Sequence, residues 1–435
     1  MLPPQNSMTA APKSTARRLP IWLLYSRSFA LFLMAVPIVA AVSQPKLMQG
    51  SDFLMTFYLA GKLVTLGRAG DLYPPLSATS FLETPFNQFA HQTLPALSQA
   101  ATAIYMYSPL TAVIMAPFGV LTPEAAMVAW QVFSIACLFL SAKCMSHATG
   151  RSALTFFFTA FLFLPVFHTL LIGHLGIALG ILPLALGYYL LSKEKFFLAG
   201  LTFSLLALKP QFLPIALLTA GALALTRRFH CALGLALGAL IMGLLSTLAC
   251  GPDILKAWFA SFRLSDTIFS DPRYGYPKYL VCSMPGALVQ LAPLSARSLA
   301  KLLTYGLAAL IGLHALFMAR AQIQKAADLK QALPVVFLIG CLVLPLVLPH
   351  FLFYDLCVMA LAGMIVFGHK WQTLDVTLRA HAILYMAVCN VYLVAWMFAG
   401  INIWGPVVLV LLLSVIYIRV MHFLKQTETV ERFQQ

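Results

Sequence analysis

The sequence has few charged residues, and this scarcity limits the class of protein that it can form. Only 9% of the 435 residues are Asp, Glu, Lys or Arg, whereas a soluble domain has about 25%. Hydrophobic residues make up 61% of the chain. This composition excludes a soluble globular protein, and it excludes disorder because disordered chains are poor in hydrophobic residues. The apolar runs are unbroken rather than alternating, which excludes a transmembrane β-barrel.

Patterns that bind metals or form disulfide frameworks are also missing. The eight cysteines are scattered, mostly within apolar runs, and none belongs to a C-x-x-C pair, so we interpret them as small core residues. His168 and His174 could bind a metal together, but no carboxylate lies near them in the sequence. We expect no metal site and no cofactor. The sequence leaves open whether a divalent cation assists.

The chain contains instead long runs without charge. There are 41 such residues between Arg151 and Lys193, and 39 between Arg379 and Arg419. One membrane crossing takes about 20 apolar residues, so each of these runs predicts a pair of helices. The whole chain therefore predicts an all-α integral membrane protein of the inner or plasma membrane, a polytopic bundle of about twelve transmembrane helices.

Basic clusters between the apolar runs predict the orientation. Clusters such as Arg227 with Arg228 divide the chain into gaps that each hold an even number of crossings. Because Lys and Arg mark the cytoplasmic side, we expect cytoplasmic tails at residues 1–27 and 422–435, and a membrane domain over 28–421. This pattern also explains the net charge of +15 without any nucleic-acid partner.

The threading leaves two large outer regions, residues 43–104 and 251–297. We expect them to cap an active site on the periplasmic or extracellular side. Residues 105–121 are apolar, but Pro109 and Pro117 argue against a straight crossing helix. We interpret this segment as a short re-entrant or juxtamembrane helix that walls a cavity, because non-helical backbone at membrane depth is tolerated there.

Asp52 is the candidate for catalysis. It follows the first predicted crossing and precedes Phe53, Phe57 and Tyr58, a pattern that suggests an amphipathic helix at the membrane interface. A carboxylate there is partly desolvated, which raises its pKa and suits a general base that takes a proton from a hydroxyl. A helix N-cap is the alternative role for Asp52.

Lys209 and Asp355 are charged residues in apolar surroundings. Lys209 precedes Pro210, and a lysine at that depth either binds an anion or extends to the interface. Asp355 follows a long apolar run and is either a functional acid or half of a buried pair with Lys209 or an arginine. His350 is expected at the outer interface, as a site residue or as a core histidine.

The second outer region is basic and aromatic. It contains Arg263, Arg273 and Lys278 between several Trp, Phe and Tyr residues. Aromatic faces suit sugar rings, and Arg or Lys suits phosphate. An interfacial aromatic belt is the alternative interpretation.

Five stretches, taken in order over residues 50–370, resemble glycosyltransferase family 87, which belongs to the GT-C superfamily that uses polyprenyl-phosphate sugars. They are Ser51-Asp52-Phe53 to Gly61 with Gly70-Asp71-Leu72-Tyr73, Tyr107-Ser108-Pro109-Leu110 with Ala116-Pro117-Phe118, Gly173-His174 with Leu208-Lys209-Pro210-Gln211, Trp258 to Met284-Pro285, and Pro349-His350 with Tyr354-Asp355-Leu356. The chain departs from the family at His174-Leu175, where the family has Gln-Asn, and at Ser108-Pro109, where it has two prolines.

The resemblance implies a specific reaction. An inverting enzyme of this kind moves a hexose, mannose first among the candidates, from a polyprenyl phosphate to a hydroxyl of a lipid-linked or cell-envelope glycan. Asp52 would be the base, and the donor phosphate would be bound by Lys209, Arg263, Arg273 and Lys278. The cavity and substrate contacts would come from Tyr58, His174, Gln211, His350, Tyr354 and Asp355. The expected partners are the donor, the glycan acceptor and membrane lipids.

Three other functions remain open at this point. A transporter or flippase for a lipid-linked saccharide would share the basic cavity but would need no catalytic base. An O-antigen ligase or polymerase would use a diphosphate-linked donor and would depend on outer arginine and histidine residues. A structural scaffold would tolerate loss of the arginines in residues 251–297.

Overall fold

The computed structural model describes residues 21–82, 84–270, 272–274, 280–368, 376–399 and 404–433. Over these ranges the chain is helical, and the β-structure is limited to an isolated bridge between Val281 and Leu352. The α-helices in chain order are α1 Ile21–Ser43, α2 Pro45–Met48, α3 Leu59–Thr65, α4 Pro85–Thr93, α5 Pro109–Gly119, α6 Pro123–Thr149, α7 Ala153–Phe161, α8 Leu164–Leu171, α9 Leu182–Ser192, α10 Phe196–Ser204, α11 Leu213–Ala224, α12 His230–Cys250, α13 Ile254–Ser261, α14 Ser265–Ser270, α15 Met284–Leu291, α16 Arg297–Lys325, α17 Leu329–Val347, α18 Met359–Gly368, α19 Val376–Ala399 and α20 Trp404–Phe433.

Short 3-10 and π-helical turns extend or connect several of these helices, as is common at helix ends and near functional sites. The π-helical turns are Phe53–Tyr58 before α3 and Ile177–Ile181 before α9. The 3-10 turns are Ala69–Leu72, Leu205–Leu208, Pro210–Phe212, Phe262–Leu264, Pro272–Tyr274, Leu294–Ala296 and Phe353–Val358.

The all-α membrane class is confirmed, but the predicted count of about twelve spans is not. Within the described ranges, five helices are long and apolar enough to cross a membrane, or six if the bent pair α7–α8 is one span. The other apolar runs form shorter helices of 10–17 residues. The reason is local: α7 and α8 meet at an angle of 75°, just before Pro165, whose ring prevents a continuous helix.

Prolines shorten two apolar segments. The chain breaks at Lys209-Pro210, between the turn Leu205–Leu208 and α11, because proline lacks the N–H that would continue a helix. Helix α5 has 11 residues, which corresponds to a length of about 17 Å against a hydrocarbon core of about 30 Å. Helix α5 is therefore too short for a complete crossing. Its depth in the membrane stays a prediction.

The segment after Asp52 differs from its prediction. Instead of an amphipathic helix at the interface, Phe53, Phe57 and Tyr58 are fully buried in the protein core. The reason is a close contact with α5, where Gly61 faces the backbone of Met115 and leaves no room for a side chain. The small residue lets the two helices approach, so the apolar face after Asp52 packs on protein.

Candidate active site

A buried ion pair occupies the centre of the candidate site. The Lys209 Nζ lies 2.6 Å from the Asp355 Oδ1, and both side chains are almost completely inaccessible. The other carboxylate oxygen of Asp355 accepts the Leu352 N–H at 3.0 Å. Lys209 is held at the break between two helices, and Asp355 in the 3-10 turn after α17. The pairing is the alternative that the sequence had left open for Asp355.

His174 joins this pair and is neutral. Its Nε2 lies 3.4 Å from the Lys209 Nζ, and because an ammonium group can only donate, the Nε2 accepts and the ring proton is on Nδ1. Burial lowers the pKa of His174 well below its usual range, and the Lys209 charge lowers it further. The ring is stacked on Tyr354, with ring centroids 4.1 Å apart. His174 Nδ1 is buried and lacks a hydrogen-bond partner among the residues described.

Tyr107 is a member of the cluster that residue-by-residue sequence reasoning missed. Its hydroxyl lies 3.1 Å from the His174 Nε2, and the Gln211 side chain approaches the same hydroxyl. The Lys209 Nζ lies 6.0 Å from the centroid of the Tyr107 ring, close enough for an attraction between the cation and the ring. Tyr107 belongs to one of the stretches that carry the family resemblance, which was the available signal.

Asp52 lies beside this cluster. The next residue, Phe53, donates its backbone N–H to the Ile172 carbonyl at 3.1 Å, and the Phe57 ring contacts His174, with centroids 5.6 Å apart. Burial raises the pKa of Asp52 to about 6, with the Lys209 ammonium acting in the opposite direction and the Asp355 carboxylate adding to the increase. Asp52 is therefore ionised at neutral pH and basic enough to take a proton.

Asp52 does not act as a helix cap. Its own backbone is helical, and its side chain makes no capping hydrogen bond. No hydrogen bond or ion pair of the Asp52 carboxylate is found within the described part of the chain, and the side chain remains partly accessible. A carboxylate without a structural partner next to a lysine is suited to chemistry rather than to helix stability.

The two outer regions hold the backbone near Tyr107 in place. The Trp258 indole N–H donates to the Met106 carbonyl at 3.0 Å, and the Tyr73 hydroxyl donates to the Tyr107 carbonyl at 2.6 Å. The Tyr274 hydroxyl accepts the Phe81 N–H at 2.8 Å. Residues from both predicted caps thus fix the segment that carries the Tyr107 side chain.

Several predicted site residues lie elsewhere. The Tyr58 hydroxyl donates to the Leu121 carbonyl and accepts a hydrogen bond from Lys62. Arg263 donates to the carbonyls of Pro75 and Ala78, so it connects the two outer regions. A sequence pattern cannot show these contacts, and the substrate role of Tyr58 and the phosphate role of Arg263 stay predictions.

Arg273 and His350 are separate from the cluster. Arg273 is exposed in the turn Pro272–Tyr274. Lys278 lies outside the described residues. His350 lines a different cleft, together with residues of α15 and α16. No group of three or more His, Cys, Asp or Glu side chains is placed to hold a metal ion in the described ranges.

Together these features define an all-helical membrane protein with a carboxylate base candidate beside a buried lysine–aspartate pair. Residues 105–345, more than half of the chain, match glycosyltransferase family 87, and the chain belongs to this GT-C-type family of glycosyltransferases. Neither a curated protein nor a solved structure matches the sequence. The predicted family is thereby confirmed. His174 and Lys209 lie within the matched range, whereas Asp52 and Asp355 lie on either side of it.

Proposed function

We propose that the protein is an inverting hexosyltransferase that uses a polyprenyl-phosphate sugar and works on the non-cytoplasmic face of the membrane. Family membership supplies the reaction class, glycosyl transfer. The observation that carries the finer proposal is the position of Asp52, a carboxylate without a structural partner beside Lys209 and His174. The acceptor is a hydroxyl of a lipid-linked or cell-envelope glycan, and mannose is the first candidate sugar.

The proposed chemistry is a single displacement. The acceptor hydroxyl gives its proton to the Asp52 carboxylate while its oxygen forms a bond to the anomeric carbon. The bond between that carbon and the phosphate oxygen breaks on the opposite face, so the configuration inverts and polyprenyl phosphate leaves. One base is sufficient for this reaction, which agrees with the one unpaired acid found at the site among the described residues.

Different roles are proposed for the buried pair and for Asp52. Lys209 forms an ion pair with Asp355. Its remaining effect on Asp52 is electrostatic, because the Lys209 charge limits the increase that burial causes in the Asp52 pKa. His174, Gln211 and Tyr354 would face the sugar. The buried His174 Nδ1 and Gln211 Oε1 have no hydrogen-bond partner within the described ranges, and a sugar hydroxyl could satisfy both.

The test is a transfer assay with the purified full chain in lipid nanodiscs. Radiolabelled polyprenyl-phosphate mannose, glucose and arabinose are each incubated with a membrane lipid extract, with protein-free nanodiscs as the control. We expect label from the mannose donor to appear in an extract component. In a parallel assay with the protein in sealed vesicles, movement of labelled lipid across the bilayer without any sugar transfer would instead establish a transporter.

A further inference from the structure

We propose that the cleft lined by Arg297, Lys301 and His350 binds the phosphate head of an anionic lipid. The cleft lies between α15, the first turns of α16 and the segment Pro349–His350. The polar side chains on its wall are Gln290, Arg297, Ser298, Lys301, Tyr305 and His350. The proposal deepens the proposed function, on which it rests for one of the two possible sources of the ligand, polyprenyl phosphate.

The charge and the hydrogen-bonding groups of the cleft fit a phosphate. Two cationic side chains line it, and among the described residues of its wall none is acidic. The Arg297 Nε is buried and has no hydrogen-bond partner within the described part of the chain, and the same holds for the Gln290 Oε1. Buried polar atoms are normally satisfied, and phosphate oxygens accept charge-assisted hydrogen bonds from arginine and lysine.

The position of the cleft fits a lipid rather than a free phosphate. Helix α16 is one of the candidate membrane spans, and Arg297 and Lys301 lie in its first turns. Leu299, Leu302 and Leu303 in the same turns are 59–71% exposed. An apolar chain can therefore lie along α16 while its head group reaches the two cations. The helix begins without a side-chain cap, and its free N–H groups also favour an anion.

The cations predicted to bind phosphate are less suitable. Lys209 is fully buried, and its charge is matched by Asp355. Arg263 already donates to two backbone carbonyls. Neither is available to a lipid head group unless contacts of the folded protein break. Arg297 lines an open cleft, and its buried Nε lacks a hydrogen-bond partner within the described ranges, so it is the better candidate for this role, with Lys301 on the wall of the same cleft.

One short segment connects the cleft to the candidate active site. The Cys282 N–H donates to the Phe351 carbonyl at 2.8 Å, and the Ser283 hydroxyl donates to the Pro349 carbonyl at 3.2 Å. These bonds fix one end of the segment at the cleft. At its other end Asp355 pairs with Lys209. The same seven-residue segment, residues 349–355, thus contributes His350 to the cleft and Asp355 to the buried pair.

The experiment measures lipid binding rather than transfer. Purified full-length protein in phosphatidylcholine nanodiscs is titrated with a radiolabelled polyprenyl phosphate that carries no sugar, and with the matching polyprenol, which lacks the phosphate. The variants are Arg297→Gln, Lys301→Gln, the double variant and the charge-preserving Arg297→Lys with Lys301→Arg. Lys256→Gln removes an exposed cation from the same outer region and is the matched control.

We expect the wild type, the Lys256→Gln variant and the charge-preserving double variant to bind polyprenyl phosphate and to ignore polyprenol. Each single Gln variant should lose about tenfold in affinity, as expected when one charge-assisted hydrogen bond is removed. Unchanged affinity in the double Gln variant, folded by its thermal transition, would overturn the proposal. So would equal binding of polyprenol.

Two further arms separate the sources of the ligand and the two proposals. If phosphatidylglycerol displaces the labelled polyprenyl phosphate, the site accepts any lipid phosphate. If it does not, the site is specific for the polyprenyl lipid. Both results support a site for a lipid phosphate. Asp52→Asn should bind as the wild type does. Binding without sugar transfer by the wild type would refute the proposed function alone, whereas transfer with unchanged binding in the double Gln variant would refute the cleft alone.

Discussion

Asp52 and Asp355 are both acids in apolar surroundings, and their neighbours give them different properties. Asp355 is fully buried, bonded to Lys209 and to the Leu352 N–H. Asp52 has no such bonds and stays partly accessible. The sequence predicted both as candidate site residues because charged residues are rare in an apolar chain. It missed Tyr107, because an uncharged tyrosine in an aromatic stretch carries no comparable signal.

The pKa of Asp52 predicts the pH dependence of the reaction. Since burial raises this pKa to about 6, the carboxylate takes up a proton at a higher pH than an ordinary aspartate. The base form is lost as the pH falls, so kcat/KM should be level above pH 6 and should fall about tenfold per pH unit below it. Among the described residues, the charged or titratable groups that interact with it are Lys209, Asp355 and Tyr107. Full activity at pH 4.5 would contradict the assignment.

The buried pair predicts a strong asymmetry between single and double substitutions. Lys209→Met leaves the Asp355 charge buried without its partner, which costs about 3–5 kcal/mol of unfolding free energy. Lys209→Met combined with Asp355→Leu removes both charges and should recover most of that loss. Thermal unfolding in detergent measures both.

The exposed pair Arg68–Asp71 is the control for this comparison. Arg68→Gln should change the unfolding free energy by less than about 1 kcal/mol, because solvent screens the exposed charges. A Lys209→Met variant as stable as Arg68→Gln would show that the pair contributes little.

At the scale of elements, small residues decide how the helices approach one another. Gly234 of α12 faces the backbone of Phe197 in α10, and Gly238 faces Ser204, so this Gly-x-x-x-Gly spacing allows the two helices to pack closely. The sequence could not show which helix would be the partner. It also could not show that the segment after Asp52 would pack on α5, because apolar residues are equally suited to lipid and to protein.

The α10–α12 contact predicts opposite effects at two glycines of one helix. A Cβ at position 234 would overlap the Phe197 carbonyl, whereas a Cβ at Gly243 meets nothing within 4 Å. Gly234→Ala should lower the thermal transition because overpacking costs about 1–3 kcal/mol. Gly243→Ala should leave it unchanged or raise it, since alanine favours a helix. The same change at both sites would argue against this contact.

At the scale of the whole molecule, the basic clusters and the apolar runs identified a polytopic helical protein, but the helices could not be counted from them. Prolines and the charged break at Lys209 divide several runs into short helices, and a composition window cannot distinguish these from crossings. The Arg151 side chain donates to the Gly368 carbonyl, so the ends of α6 and α18 lie together. The side of the membrane that they face stays a prediction.

The most direct test of the account is sugar transfer from the active polyprenyl-phosphate donor by Asp52→Asn, compared with the wild type. Asparagine keeps the size of the side chain but cannot take a proton, so we expect kcat to fall by a factor on the order of 10²–10⁴. Asp253→Asn, which alters an exposed acid in the second outer region, should keep full activity. Equal transfer by Asp52→Asn and the wild type would contradict the assignment of Asp52 as the base.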